Sequence, residues 1–408
     1  MRRISVNALT FSLPLGVFLA AAAPVAQPPS LTLDEAMATA LSTSPSLAAA
    51  RLGRAEAEAR GDVARQRPNP DLTLEESRDT PRDALVLSVP IERGGKRRWR
   101  IAVAEAQAKG NEAEVARLLA ETRNQVRRAY FALSAAQRRE AETVELRRLA
   151  ESARDAARAR FELGDVPRLD VLQAELAAAQ AAGEADKARG QLAGARADLN
   201  ALLGRPLDGP LAVSAGLDAG QVPPPRAAVQ EALGASAELA VLDLGLAQQK
   251  AQVELARAEA VPDVTAAAGV THYAPPDFLW GWRASVNLAL PVFTRGRAQA
   301  RLEQATLARL QAERDARAAR LRGEVFSAAA NAEVQRQAYL RYRDEILPRA
   351  AEVERMAEDS YRSGQTNLAA LLQSLQSVHD LRLQAVQAGI DYQNALADLE
   401  RAMGVALP

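Results

Sequence analysis

The chain is written twice. Ala36-Met37-Ala38-Thr39-Ala40-Leu41 matches Ala228-Val229-Gln230-Glu231-Ala232-Leu233, and Pro70-Asp71 falls on Pro262-Asp263 at the same spacing. Val89-Pro90-Ile91 aligns with Leu290-Pro291-Val292, and Gly95 with Gly296. Phe161-x-x-Gly164 aligns with Tyr361-x-x-Gly364, Leu172-Gln173 with Leu372-Gln373, and Gly204 with Gly404. A duplication in this order constrains the fold more than any single motif, because each half must build the same unit. The first repeat is read as 27–204 and the second as 227–408. The stretch 205–226 between them is rich in proline and glycine and is read as a non-helical linker.

Each half reads helix, two strands, long helix, helix. Thr32-x-x-Glu35 is a capping box, and it opens a first helix that is predicted to run to about Arg65. Arg67-Pro68-Asn69-Pro70 stops it, since proline lacks the amide and fixes φ. Short alternating segments follow, predicted as hairpins over 70–91 and 262–292. In the second, Trp282, Ala284, Val286, Leu288 and Leu290 face one way, and Arg283, Ser285, Asn287 and Ala289 face the other. Ten residues of period two is the length of a tilted strand crossing a bilayer, although a half-buried strand of a soluble sheet has the same pattern.

Long helices are then predicted over 97–163 and 298–363, with Pro348 as a kink or break in the second. In the first, Val115, Leu119, Thr122, Val126, Ala129, Leu133 and Ala136 step by four and three, the seam of a coiled coil. About 66 residues at ~1.5 Å each make a rod of roughly 100 Å. Gly164 and Gly364 stand where each rod turns. Helices over 169–203 and 368–403 return.

Composition narrows the function. Basic and acidic side chains are equal at 51 each, which argues against nucleic acid as a partner. No cysteine is present, which excludes disulfides, thiolate metal sites and a lipid on an N-terminal cysteine. Arg2 and Arg3, the apolar stretch to Ala23 and the small residues before Gln27 read as a signal peptide over 1–26, cut between Ala22 and Ala26. An N-terminal anchor is the competing reading, but Pro14 interrupts a run already short for a span.

No catalytic, cofactor or metal constellation emerges. Gly94-Gly95-Lys96 lacks the upstream glycine of a phosphate loop, and Arg97 stands where a magnesium-binding hydroxyl belongs. The only histidines, His272 and His379, read as surface or interface residues, because a metal site wants several convergent ligands. Tyr273, Phe278, Trp280 and Trp282 cluster within ten residues, as aromatics do at a barrel–water interface or a packed hairpin tip.

Four strands are too few for a membrane barrel, which must close because lipid cannot satisfy an open edge. Such a chain has to oligomerise. The duplicated plan resembles the TolC family of outer-membrane efflux channels. The resemblance rests on the opening around Leu31-Thr32-Leu33-Asp34-Glu35-Ala36, the strand starts at Pro68-Asn69-Pro70 and Val261-Pro262-Asp263, and the strand ends before Pro90 and Pro291. The paired turns, each followed by Leu-Gln, complete it.

The resemblance implies a mainly α fold with a small β part. Long antiparallel helical hairpins would form an α-barrel, and four strands per chain would enter a trimeric 12-stranded transmembrane barrel. It implies a homotrimer in outer-membrane lipid, reaching into the periplasm and meeting a periplasmic adaptor (membrane fusion) protein and an inner-membrane RND-type pump. Gly164, Leu172, Gln173, Gly364, Leu372 and Gln373 would then lie at the periplasmic tip, in adaptor contact. Acids near this turn line a closed gate in relatives, and Asp165 and Asp170 occupy such places. Ala370 and Gln373 stand where a second acidic set would be, a departure from a double ring, and Asp170 also reads as a solvated cap residue. Pro90-Ile91-Glu92-Arg93-Gly94-Gly95-Lys96-Arg97 resembles the heavy-metal branch (cobalt–zinc–cadmium or copper). Drug efflux, type I secretion and a soluble periplasmic coiled-coil adaptor are the alternatives.

Overall fold

The computed structural model describes residues 30–293 and 296–407; the predicted signal segment 1–26 lies outside the described residues. In chain order the first half holds β1 (Ser30–Leu31), α1 (Leu33–Thr43), α2 (Pro45–Arg65), β2 (Asp71–Glu76), β3 (Asp83–Ile91), α3 (Lys96–Glu162) and α4 (Arg168–Leu202). After β4 (Ala212–Val213) come α5 (Pro225–Ala235), α6 (Ala237–Glu259), β5 (Val264–Ala274), β6 (Phe278–Leu288) and α7 (Arg297–Arg341). A π turn (Tyr342–Ile346) leads into α8 (Leu347–Arg362), and α9 (Leu368–Met403) closes the chain.

The capping box forms as spelled: the Glu35 amide donates to Thr32 Oγ1 at 3.3 Å, and the Thr32 amide donates to Glu35 Oε2 at 2.9 Å. The helix it opens does not run to Arg65. Ser44 ends it and caps a second helix, accepting from the Leu47 amide, with Pro45 at the first position, where no amide is needed. Ser236 makes the same break between α5 and α6, accepting from the Leu239 amide.

The 67 residues of α3 span about 100 Å. Ion pairs a turn apart line its wet face, such as Glu114–Arg117 and Glu145–Arg148. Its counterpart is interrupted, because Pro348 removes a helical hydrogen bond and crowds the carbonyl of the preceding turn. The wide π turn absorbs this just before it, and the helix continues as α8.

Helix α3 packs against α2, α4, α6 and α9, while α7 packs against α5, α6 and α9. The main core lies part-way along these rods, around Tyr130, Phe131, Leu133, Leu199, Leu396 and Leu399. The segment between the halves is pinned there. The Tyr130 hydroxyl donates to the Leu31 carbonyl at 2.8 Å and accepts from the Ala215 amide at 3.1 Å. Gln393 donates to the Leu217 and Ala219 carbonyls, and β1 pairs with β4 in parallel, a contact the sequence reading missed.

At one end of the rods, β2-β3-β5-β6 form one antiparallel sheet in that order. The two hairpins, far apart in sequence, meet through β3 and β5, while β2 and β6 have open outer edges. Lys96 Nζ reaches Asp263 Oδ2 at 2.7 Å and ties the two strand–helix junctions together. The paired turns lie at the other end of α3 and α8. Among the described residues no helix is long and apolar enough to cross a membrane.

Candidate functional site

The far end of the rods is built by two turns of one design. Gly164 and Gly364 have φ of 82° and 73°, a left-handed conformation that costs other residues and lets each helix close. The Asp165 amide donates to the Arg160 carbonyl at 2.9 Å, and the Gln365 amide to the Ser360 carbonyl at 2.8 Å. Pro167 then starts α4, and Asn367 caps α9 through the Ala370 amide. The two turns meet. Leu368 is buried against Ala153, Ala157 and Ala174, with Tyr361 and Leu372 packed on the cluster. Arg160 lies over the Tyr361 ring, and Arg158 clamps Glu175 across the first hairpin.

The turns differ in what they present. Leu163, Leu169, Leu172 and Leu176 of the first are exposed, Leu163 by 78%. In the second, Leu368, Leu371 and Leu375 face inward and are buried. Leu372 is half-buried, and Gln173 and Gln373 are exposed. Sequence alone marks Leu172 and Leu372 as equivalent; the structure makes one a surface residue and the other part of a seam.

Asp165 is exposed, and Asp170 is half-buried in the first turn of α4. A carboxylate there is favoured by the helix amides. Of the surface and interface readings, His379 takes the interface one: it is 3% exposed in α9, with Nε2 lacking a hydrogen-bond partner and Glu184 Oε2 of α4 at 3.7 Å. Burial holds its imidazole below the ordinary range, against the pull of Glu184, Asp380 and Glu142. His272 pairs through Nδ1 with Asp83 at 3.0 Å and lies against the Trp280 ring. Among the described residues no three histidine or carboxylate side chains converge to hold a metal.

The sheet has two unlike faces. Leu72 lies beside Leu87, Leu87 beside Ala268 and Ala268 beside Ala284; Leu74, Leu85, Val270 and Trp282 make the next row. This apolar face is open, with Trp282 exposed by 83% and Val286 by 73%. Ala284 and Leu288 share it, whereas Leu290 lies beyond β6, which ends at Leu288. The opposite face carries Thr73, Ser88, Thr265, Ser285 and Asn287. Trp280 and Phe278 sit at the β5–β6 turn, where Arg82 stacks on Tyr273.

A family model for outer membrane efflux proteins matches residues 36–205 and 228–405. The cobalt-zinc-cadmium resistance protein CzcC of Cupriavidus metallidurans is 27% identical over 92% of this chain and 90% of its own. Crystal structures of CusC, described in terms of folding and transmembrane channel formation, superpose with a TM-score of 0.76 at 16% identity, covering 92% of each chain. The CmeC outer membrane channel of Campylobacter jejuni also gives 0.76, at 15% identity, over 99% of this chain and 94% of that one. With its rods, its two-faced open sheet and a match across both halves, the chain belongs to the outer membrane efflux protein family, a channel of the bacterial outer membrane.

Proposed function

We propose that three copies close their sheets into one 12-stranded barrel and their rods into a tunnel below it, through which metal cations leave the periplasm. The sheet carries this reading. Its apolar face is open, and each edge presents a row of unpaired backbone groups that lipid cannot satisfy. Pairing β2 of one copy with β6 of the next removes every edge. Strands β5 and β6 are 11 residues each, enough to cross at a tilt. Trp282, Ala284, Val286 and Leu288 then face lipid, and the aromatic hairpin tip marks the outer rim.

At the other end the exposed leucines of the first turn offer an apolar contact for a periplasmic adaptor, beside Gly164, Leu172, Gln173, Gly364, Leu372 and Gln373. The adaptor links the channel to an inner-membrane RND-type pump, which supplies the energy. Asp165 and Asp170, repeated three times round a narrow opening, attract cations because low-dielectric walls focus their field. Metal as cargo is supported by the similarity to the cobalt-zinc-cadmium resistance protein. A deletion strain tests it. It should become sensitive to cobalt, zinc or cadmium salts and keep its tolerance of dyes and detergents. Sensitivity to dyes alone would assign the channel to drug efflux.

A further inference from the structure

The polar face of the sheet carries a bridge between its two outer strands. Arg283 Nη1 donates to Glu75 Oε2 at 3.0 Å. Arg283 is on β6 and Glu75 on β2, the two outer strands of a four-stranded sheet. Three strand spacings separate them, roughly 14 Å if the sheet were flat. Both side chains therefore lie down across a concave surface. Small residues make this geometry. Arg283 is registered opposite Gly269, and a Cβ at Gly269 would meet the Leu85 carbonyl oxygen at 2.3 Å. Glycine lets β3 and β5 approach closely at the point the bridge crosses.

We infer that this pair is a charge-compensated girdle inside the barrel lumen, which keeps the exit path open to cations. The inference rests on the trimeric barrel proposed above. Arg283 is the one basic side chain on the polar face of the four strands; Glu75 and Asp71 are its acids. Cancelled by Glu75, Arg283 leaves Asp71 as the net charge on the polar face of each copy's four strands. A 12-stranded barrel has a backbone diameter of roughly 24 Å from strand spacing and tilt. Side chains on its wall reach within about 6 Å of the axis, less than the ~8 Å Debye length at physiological salt. A passing ion therefore feels this ring across the whole lumen. Left unpaired, three arginines would oppose a cation at the last stage of export.

The chain has no cysteine, so one introduced thiol reports alone. Ser285→Cys lies on the same face as Arg283, on the helix side of it, and Val286→Cys lies on the other face. Both are labelled from the medium on intact cells with cationic and anionic methanethiosulfonates of similar size. The ratio of the two rates at Ser285→Cys measures the lumen field and does not depend on the distant periplasmic end. Glu75→Gln should lower the cation-to-anion ratio and Arg283→Gln should raise it, each by roughly five-fold or more for three screened charges. Asp71 is exposed, and Asp71→Asn should lower the ratio, which decides the matter if a bridge variant fails to reach the membrane. An unchanged ratio in the variants that assemble overturns the girdle. Labelling of Val286→Cys with Ser285→Cys spared would instead overturn the barrel reading beneath it.

Discussion

Arg127 is 3% exposed on α3, where its guanidinium reaches Glu400 Oε1 at 2.8 Å and Gln393 Oε1 at 3.2 Å on α9. Glu400 also accepts from the Leu407 amide, so one buried pair anchors α9 and the last residues to α3. Removing one partner strands a charge. Arg127→Ala should destabilise the chain by about 3–5 kcal/mol, whereas replacing both partners, Arg127→Met with Glu400→Leu, should recover most of it. Thermal midpoints in detergent would show this, and equal midpoints for Arg127→Ala and the parent would contradict it. His379 gives a pH dependence. Its folded pKa lies below the ordinary 6.5, so the unfolded chain takes the proton first. The α4–α9 contact keeps its full stability above pH 6.5 and loses it as pH falls through the lower folded value. The midpoint should drop between pH 7.5 and 5.5, and His379→Gln should flatten that drop; the same slope in the variant would refute the assignment. Neither residue was legible in the sequence. A lone arginine or histidine on a polar-looking helix gives no sign of which neighbour will cover it.

Among elements, those with a chemical signature were readable. The capping box, the proline stops and the glycine turns each depend on a few adjacent residues, and the α3 rod follows from a long run without proline. Two helix breaks lack such a signature. Ser44-Pro45 reads as ordinary helix by periodicity, yet serine caps and proline starts a new axis. The Pro348 interruption takes the form of a π turn over Tyr342–Ile346, a form that the proline alone does not spell. The rods themselves meet through alanine. Ala153, Ala157 and Ala174 leave room for close approach of α3 and α4 and for Leu368 of α9 between them. Ala174→Leu should overpack this seam at a cost of about 1–3 kcal/mol. Ala179→Leu, on the exposed side of α4, should cost little. Similar unfolding midpoints for the two variants would mean that the seam is not close-packed.

For the whole molecule, the duplication carried the plan, since the chain repeats its turns and strand starts in order. The sequence could not show that the turns would present opposite faces, with leucines outward in one and inward in the other. That asymmetry arises because the second turn packs onto the first. Nor did it show the bridge from β2 to β6, which requires the curvature of an assembled sheet. The two-faced sheet predicts that Val286→Arg, facing lipid in all three copies, prevents outer-membrane assembly, at ~2–4 kcal/mol per arginine near the midplane. Normal trimers of this variant would place that face elsewhere. A continuous export path requires three chains to make one membrane pore. Native mass spectrometry of the protein extracted by detergent from isolated outer membranes should give a mass of three copies. Single copies, or recovery in the soluble periplasmic fraction without detergent, would contradict it.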